Sequence, residues 1–318
     1  MLQKVRSGDG SQKGCLVFLM AQVNHYPVMY REVLDLLKIQ EKRLVVDCTV
    51  GTGHHALRML EVMGPDARLI GIDKDEESLS VAASRLKGFE GRFTLAKSDF
   101  SELDQVLNSL GVKEVDAFLF DLGISTYQLL NPERGFSFSK EGPLDMRMDR
   151  EAFLSAADLV GSLNEDELGD IFKKFGEERY ARRVAAALVR AREKEPIQST
   201  TALADIVYHS VPPPARHSRI HPATRVFQAL RIAVNRELDV IDGALRKASA
   251  FLTPGGHMGV ISFHSLEDRI AKHTIRDLCD RGGFSLVVKK PVCPSDLEVT
   301  ENSASRSAKL RVAVKNKV

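Results

Sequence analysis

The sequence predicts an α/β fold, a parallel sheet flanked by helices and interrupted late by a helical insertion. Three observations carry that expectation. An apolar run from Leu44 to Val46 ends in Asp47 and breaks into the turn Gly51-Thr52-Gly53, after which a helix starts near His54. Short apolar runs then alternate with helical segments as far as Asp121, the pattern of a parallel sheet covered on both faces. From 151 to 210 no strand signal is present, and the next one begins at His257.

The elements follow in order. Val28 to Leu37 is the first stretch with folded character. Gly51 and Gly53 tolerate the positive φ of a tight turn and carry no side chain to keep a ligand off the backbone. The helix after them points unpaired N–H groups into that turn. A second strand, Ala67 to Ile72, ends at Asp73, where a carboxylate can accept both hydroxyls of a ribose. Asp75 to Leu86 reads as a helix, Arg92 to Ala96 as a strand, and Ser101 to Leu110 as a helix with Ser101 as its N-cap. Val115 to Phe120 is a strand ending at Asp121. Asp47, Asp73, Ser98 to Phe100 and Asp121 therefore share the carboxyl edge of the sheet, where ligands of such folds bind.

The glycine turn admits three readings. Gly51-x-Gly53-x-x-Ala56 satisfies a relaxed dinucleotide fingerprint. Asp47, four residues before Gly51, instead makes Asp-x-x-x-Gly-x-Gly, the S-adenosylmethionine pattern, in which a carboxylate faces the ammonium-bearing half of the cofactor. A purely structural turn without ligand is the third.

Composition narrows the class. A chain of 318 residues has room for one large domain plus an insertion. The net charge of +2 gives no argument for nucleic acid, which must come from local patches. Cys15, Cys48, Cys279 and Cys293 lack metal or CxxC spacing and read as reduced thiols of a cytoplasmic protein. No apolar run reaches membrane-spanning length. Cys15 to Met20 follows basic residues but is short for a signal peptide and lacks a convincing cleavage site. Residues 1–19 are expected to be a disordered extension or an upstream start.

Residues 122–150 are rich in glycine and proline, with Phe136, Phe138, Leu144, Met146 and Met148 as apolar anchors, and read as an active-site wall. In the helical stretch beyond, Arg179, Arg182, Arg183, Arg190 and Lys194 share an arc of roughly 120° at about 100° per residue. Val184, Leu188 and Val189 lie opposite. Arg216, His217, Arg219, His221, Arg225, Arg231 and Arg236 form a second basic cluster. Either cluster alone is an ordinary solvated face; two in and beside one insertion suggest a phosphate-contacting surface. Ala244 to Leu252 then ends a helix, Pro254-Gly255-Gly256 turns, and His257 to Phe263 is a strand. Phe284 to Val288 and Leu310 to Val314 close the sheet as a hairpin with a long connection.

The chain resembles one family through Asp121-Leu-Gly-Ile-Ser-Thr-Tyr-Gln128, Arg134-Gly-Phe-Ser-Phe138, Gly142-Pro-Leu-Asp-Met-Arg-Met-Asp149, Gly176-Glu-Glu-Arg179, His221-Pro-Ala-Thr-Arg-Val-Phe-Gln-Ala-Leu-Arg-Ile232 and Phe263-His-Ser-Leu-Glu-Asp-Arg269. It is the bacterial 16S ribosomal RNA cytosine-N4 methyltransferase family, also called MraW or RsmH. The resemblance runs from about His25 to Arg311 with the motifs in consistent order. It implies a class I methyltransferase (Rossmann-like) sheet with an inserted helical domain, S-adenosylmethionine as cofactor, and 16S rRNA of the small ribosomal subunit as substrate. The expected core is 20–125 and 223–318, with 126–222 as the inserted loop and substrate-recognition domain. Cofactor contacts carried over by position are Gly51, Gly53, His54, His55, Asp73, Phe100, Asp121 and Gln128. His54 stands where the family commonly has a glycine, which is expected to cost backbone freedom at the turn. Ser125-Thr126 replaces a Ser-Ser pair.

The chemistry sets the remaining expectations. Cytosine N4 is a weak nucleophile that becomes transiently cationic on attack, so in-line positioning and a nearby acceptor would help it. Asp121 is the first candidate acceptor and proton base, with a purely cofactor-binding role as its rival. His264 is the second candidate. Glu267, Asp268 and Arg269 read better as an ion-pair network bracing the loop. No metal is expected, since the adjacent His54 and His55 do not readily chelate one ion. RNA contacts are expected at Arg179, Arg183, Arg190, Arg219 and Arg225, with Tyr127, Phe136 and Phe138 able to stack on an exposed base or anchor their loop. The competing functions are a dinucleotide-dependent oxidoreductase and a non-catalytic RNA-binding or assembly factor.

Overall fold

The computed structural model describes residues 26–217 and 220–317. The expected extension at 1–19, His25 and Arg219 lie outside them. The first half runs α1 (Tyr30–Leu36), β1 (Leu44–Asp47), α2 (His54–Val62), β2 (Arg68–Asp73), α3 (Glu76–Arg85), β3 (Phe93–Lys97), α4 (Leu103–Ser109) and β4 (Val115–Asp121). A helical block follows: α5 (Thr126–Leu130), α6 (Ala156–Ser162), α7 (Glu165–Gly176), α8 (Ala181–Arg192), α9 (Thr200–Ser210), α10 (Pro213–Arg216) and α11 (Ala223–Asn235). Helix α12 (Glu237–Phe251) leads into β5 (Leu252–Ser262), then α13 (Ser265–Asp280), β6 (Phe284–Leu286), α14 (Asp296–Glu301) and β7 (Lys309–Lys315).

The seven strands are ordered β3-β2-β1-β4-β5-β7-β6. The pairs from β3 across to β5 are parallel, and β7 runs antiparallel to both β5 and β6. The strand order reverses between β1 and β4, which opens a crevice at their carboxyl ends. Because successive strand residues face opposite sides, the buried strands supply two cores at once. Val46, Phe118 and Phe120 join one face with α12 and α13; Val45, Ala117 and Leu119 join the other with α1 and α2.

The helical block has a third core of its own, and all four buried anchors of the long loop, Phe136, Leu144, Met146 and Met148, sit in it. That core also takes in Ala223, Val226, Phe227, Ala229 and Leu230 of α11. Its packing thus extends beyond residue 222, and the chain returns to the sheet only with Ile241, Ala244 and Leu245 of α12.

Two local expectations need correction. Ser101 is not the cap of α4: Asp99 accepts its backbone N–H and opens a short 3-10 turn over Phe100–Glu102 instead. β5 begins at Leu252 rather than His257, because the Pro254-Gly255-Gly256 turn is a bulge inside the strand; its register against β4 shifts between Val115 and Ala117.

A buried clamp ties the two parts of the molecule together. Arg134, 1% exposed, donates to Asp75 Oδ2 at 2.7 Å, to Glu77 at 3.2 Å and to the carbonyls of Arg147 and Met148. Asp75 caps α3 by accepting from Glu77 N–H, and it also accepts from Ser78 and Gln128. One carboxylate thereby fixes the start of α3, the helix α5 and the loop carrying Met148.

Candidate active site

The crevice at the carboxyl edge is lined by Thr49 to Thr52, His54, His55, Asp73, Phe100, Asp121 to Thr126, Gln128, Met148, Glu237, Phe263 and Glu267, with Tyr26 to Val28 along one side. The strand ends place these groups. β1 delivers Asp47 and the glycine turn, β2 delivers Asp73, and β4 delivers Asp121.

The turn needs its glycines. Gly51 has φ +50° and Gly53 +81°. A Cβ on Gly53 would lie 3.1 Å from the Ala82 Cβ of α3, so the two helices approach through a bare backbone. His54 is the first residue of α2 and is not among the positive-φ residues. Its replacement of a glycine therefore costs no backbone freedom, contrary to the expectation from sequence. Its ring nitrogen Nδ1 lies 3.0 Å from Thr52 Oγ1 and 3.1 Å from the Arg85 guanidinium.

The other expected contacts divide into free and committed groups. Asp73 Oδ2 accepts from Gly51 N–H at 2.8 Å and Oδ1 from Asp75 N–H at 2.9 Å, leaving each oxygen a second lone pair for a hydroxyl. Phe100 lines the crevice and meets Phe120 edge to face. Gln128 also lines it, but its amide is spent: the oxygen accepts from Ser125 N–H in a capping box and the nitrogen donates to Asp75.

Asp121 is anchored by its backbone, whose N–H donates to Thr49 Oγ1 at 2.7 Å. Its Oδ2 lies 3.5 Å from His55 Nε2, and its Oδ1 is buried without a hydrogen-bond partner. Asp47 Oδ2 is likewise buried and unpartnered. Burial pushes Asp47 up to about 7 and Asp73 up to about 6. Burial also raises Asp121 well above the carboxylate range, helped by the charges of Asp47 and Glu267. His55 is pushed down to about 4 by burial, so it is neutral at physiological pH.

His264 does not line the crevice. It is the N-cap of α13, with Nδ1 accepting weakly from Glu267 N–H and Nε2 3.1 Å from Glu267 Oε1. That places it as a brace of Glu267 rather than at the reacting edge. Burial would raise Glu267, but His264 and Arg231 outweigh it and hold the carboxylate below its usual range. The neighbouring residues do brace the loop, each to a different partner: Asp268 to Lys309 and Arg311, and Arg269 to Glu177.

The basic residues also separate. Arg231 is no part of a phosphate surface, since both its Nε and a terminal nitrogen donate to Glu237 at 2.9 Å beside the crevice. Arg179, Arg183, Arg190 and Arg225 are exposed. Arg225 donates to the carbonyl of Glu177, whose carboxylate meets Ser265 and Arg269 at the start of α13. Arg183 and Arg190 line a separate depression with Asp205 and His209. Phe136 is a buried anchor, whereas Phe138 packs on His221 and Phe227. Thr49, Glu237 and Phe263 were missed by sequence reasoning. Thr49, inside the turn motif, and Phe263, at the end of a predicted strand, carried a signal, whereas Glu237 carried none.

The donor set fits the expected cofactor. Two unpartnered buried carboxylate oxygens suit a cationic amino-acid tail and sulfonium, and Asp73 beside the glycine turn suits a ribose. Among the described residues no cluster of three or more His, Cys, Asp or Glu is arranged for a metal ion, and no helix is long and apolar enough to cross a membrane.

A sheet of this order with a glycine turn and acidic strand ends defines a class I methyltransferase. The model of the MraW methylase family matches residues 22–316. The chain is 50% identical over 291 residues to a protein of Persephonella marina named ribosomal RNA small subunit methyltransferase H, covering 92% of this chain and 99% of that one. A Geobacter sulfurreducens protein of the same name is 48% identical over 307 residues, with coverage of 92% and 99%. The chain belongs to the MraW methylase family and is a methyltransferase.

Proposed function

We propose that the crevice holds S-adenosylmethionine and transfers its methyl group to the N4 amine of a cytidine in 16S rRNA, within the small ribosomal subunit. The observation that carries this reading is the Asp121 carboxylate, which lines the crevice, is anchored through its backbone by Thr49 and has no internal partner for its buried Oδ1. The cofactor supplies an electrophilic methyl on a positively charged sulfur. Gly51 and Gly53 would admit it close to the backbone, Asp73 would hold its ribose, Phe100 would lie beside its adenine, and Asp47 would face its cationic tail.

Asp121 then meets the target base. Its carboxylate, which lines the crevice, accepts a hydrogen of the N4 amine, stabilises the positive charge that develops there, and takes the proton as the N–C bond forms. The raised affinity of Asp121 for a proton suits that role. Thr49 fixes the backbone behind it. Burial of the site also excludes water, which strengthens these interactions. Exposed Arg179, Arg183, Arg190 and Arg225 would contact RNA phosphates, with the helical block from 126 through α11 as a recognition unit. A cytosine amine is reached by swinging the nucleotide out of its stack into the crevice.

The test is incubation with methyl-labelled S-adenosylmethionine and, separately, unmethylated small subunits, naked 16S rRNA and single-stranded DNA. Label in N4-methylcytidine from the subunits supports the reading. Cofactor binding without transfer to any RNA would sink it in favour of a non-catalytic assembly factor.

A further inference from the structure

Asp73 and Asp121 line the crevice, Asp47 lies buried behind them and is coupled electrostatically to both, and among the described residues no cation neutralises Asp47 or Asp121. The charged and titratable groups facing Asp121 are Asp47 from β1, His55 from α2 and Glu267 from α13. Two of these are acids, and burial keeps His55 neutral despite a hydrogen bond to the Val28 backbone. The nearby cations are engaged elsewhere: Lys74 with Asp99, and Arg231 with Glu237 and Glu267. Asp121 thus lines the crevice with its carboxylate partly exposed, while its Oδ1 is buried behind that face without a hydrogen bond and acids outnumber cations around it.

We propose that Asp121, backed by Asp47, makes the crevice a proton-linked selector for cationic sulfur, binding S-adenosylmethionine with release of one proton more than its demethylated product. The inference rests on the methyltransferase reading above and concerns which form of the cofactor the protein prefers. Before binding, desolvation and mutual repulsion keep a proton on the Asp121–Asp47 pair. A sulfonium placed against Asp121 supplies the missing countercharge, so the carboxylate ionises and the proton leaves. In the product the sulfur has kept the electron pair of the broken S–CH3 bond and is neutral. The methyl is on N4, and the N4 proton is on Asp121. A neutral thioether beside a protonated carboxyl calls for no proton release, so charge in the crevice stays balanced before and after transfer.

Isothermal titration calorimetry in buffers of different ionisation enthalpy tests this directly on the full chain. S-adenosylmethionine should release protons on binding, with affinity rising as pH is raised, at most about tenfold per unit for one linked proton. S-adenosylhomocysteine, which keeps the ammonium but lacks the sulfonium, should release fewer protons and show a shallower rise of affinity with pH. Asp121→Asn should bring the two affinities together, and Asp47→Asn should shift the linkage to lower pH. The wild-type comparison alone keeps the proposal exposed if a variant fails to fold. Equal proton release for both ligands, or an affinity ratio untouched by Asp121→Asn, would overturn it while leaving the methyltransferase reading intact. Failure of the wild-type protein to bind either ligand would overturn the cofactor assignment and this proposal together.

Discussion

Replacing Arg134 with methionine removes the clamp that joins the sheet to the helical block while roughly keeping side-chain bulk. The guanidinium makes four contacts inside the protein: Asp75, Glu77 and two loop carbonyls. Losing one partner of a buried ion pair costs about 3–5 kcal/mol, because the other charge is left without compensation. Two carbonyls that lose their donor add about 1–3 kcal/mol each, and these terms overlap rather than sum. Asp75 keeps the donors of Glu77 N–H, Ser78 and Gln128, which puts the expected loss near the low end, about 3–4 kcal/mol. Urea denaturation of Arg134→Met beside wild type reads this as a fall in midpoint at unchanged slope. The double variant with Asp75→Asn should cost less than the two single changes added together. A loss below about 1 kcal/mol, the ceiling for an ordinary surface ion pair, would refute the argument that this contact joins the two parts.

Three further outcomes follow from the same geometry. Gly53→Ala forces a Cβ at φ +81° to within 3.1 Å of Ala82; stability should fall by about 1–3 kcal/mol, and calorimetry should show weakened cofactor binding. Asp47 titrates near 7 in the fold against about 3.9 in an unfolded chain. Between those values the folded state holds the extra proton, so this group makes the ligand-free protein less stable as pH rises, with the full cost present above 7. Asp47→Asn should therefore gain melting temperature on wild type from pH 5 to pH 8, and a constant difference across that range would contradict the assignment. Charge reversal at Arg183 and Arg225 should weaken RNA binding and reduce the slope of log affinity against log salt by about one per lost phosphate contact. An unchanged salt slope would remove these residues from the interface.

The sequence made the edge of the crevice legible because that edge is written locally. An apolar strand, an acid and two glycines at fixed spacing set β1, the turn and α2 in eleven or so neighbouring positions, and the same grammar placed Asp73 and Asp121. The hairpin of β6 and β7 was legible for a similar reason, since apolar runs flank a polar connection. What escaped was written by distant partners. Arg231 and Arg134 are identical in type to surface arginines, and only the packing of α12 and α3 shows that Glu237 and Asp75 neutralise them. His264 sits at a strand end like the acids, yet the helix it caps turns its ring onto Glu267. Ser101 lost the cap of α4 to Asp99, a competition between adjacent polar residues that propensity does not decide.

The central claim is that Asp121 accepts the N4 proton at the crevice edge. A single-turnover measurement with saturating S-adenosylmethionine and unmethylated small subunits, comparing wild type with Asp121→Asn, tests it most directly. The account predicts N4-methylcytidine from wild type and a rate at least about 100-fold lower from the variant, the usual worth of a positioned base, with cofactor still bound. A variant that methylates at the wild-type rate while occupied by cofactor would contradict it.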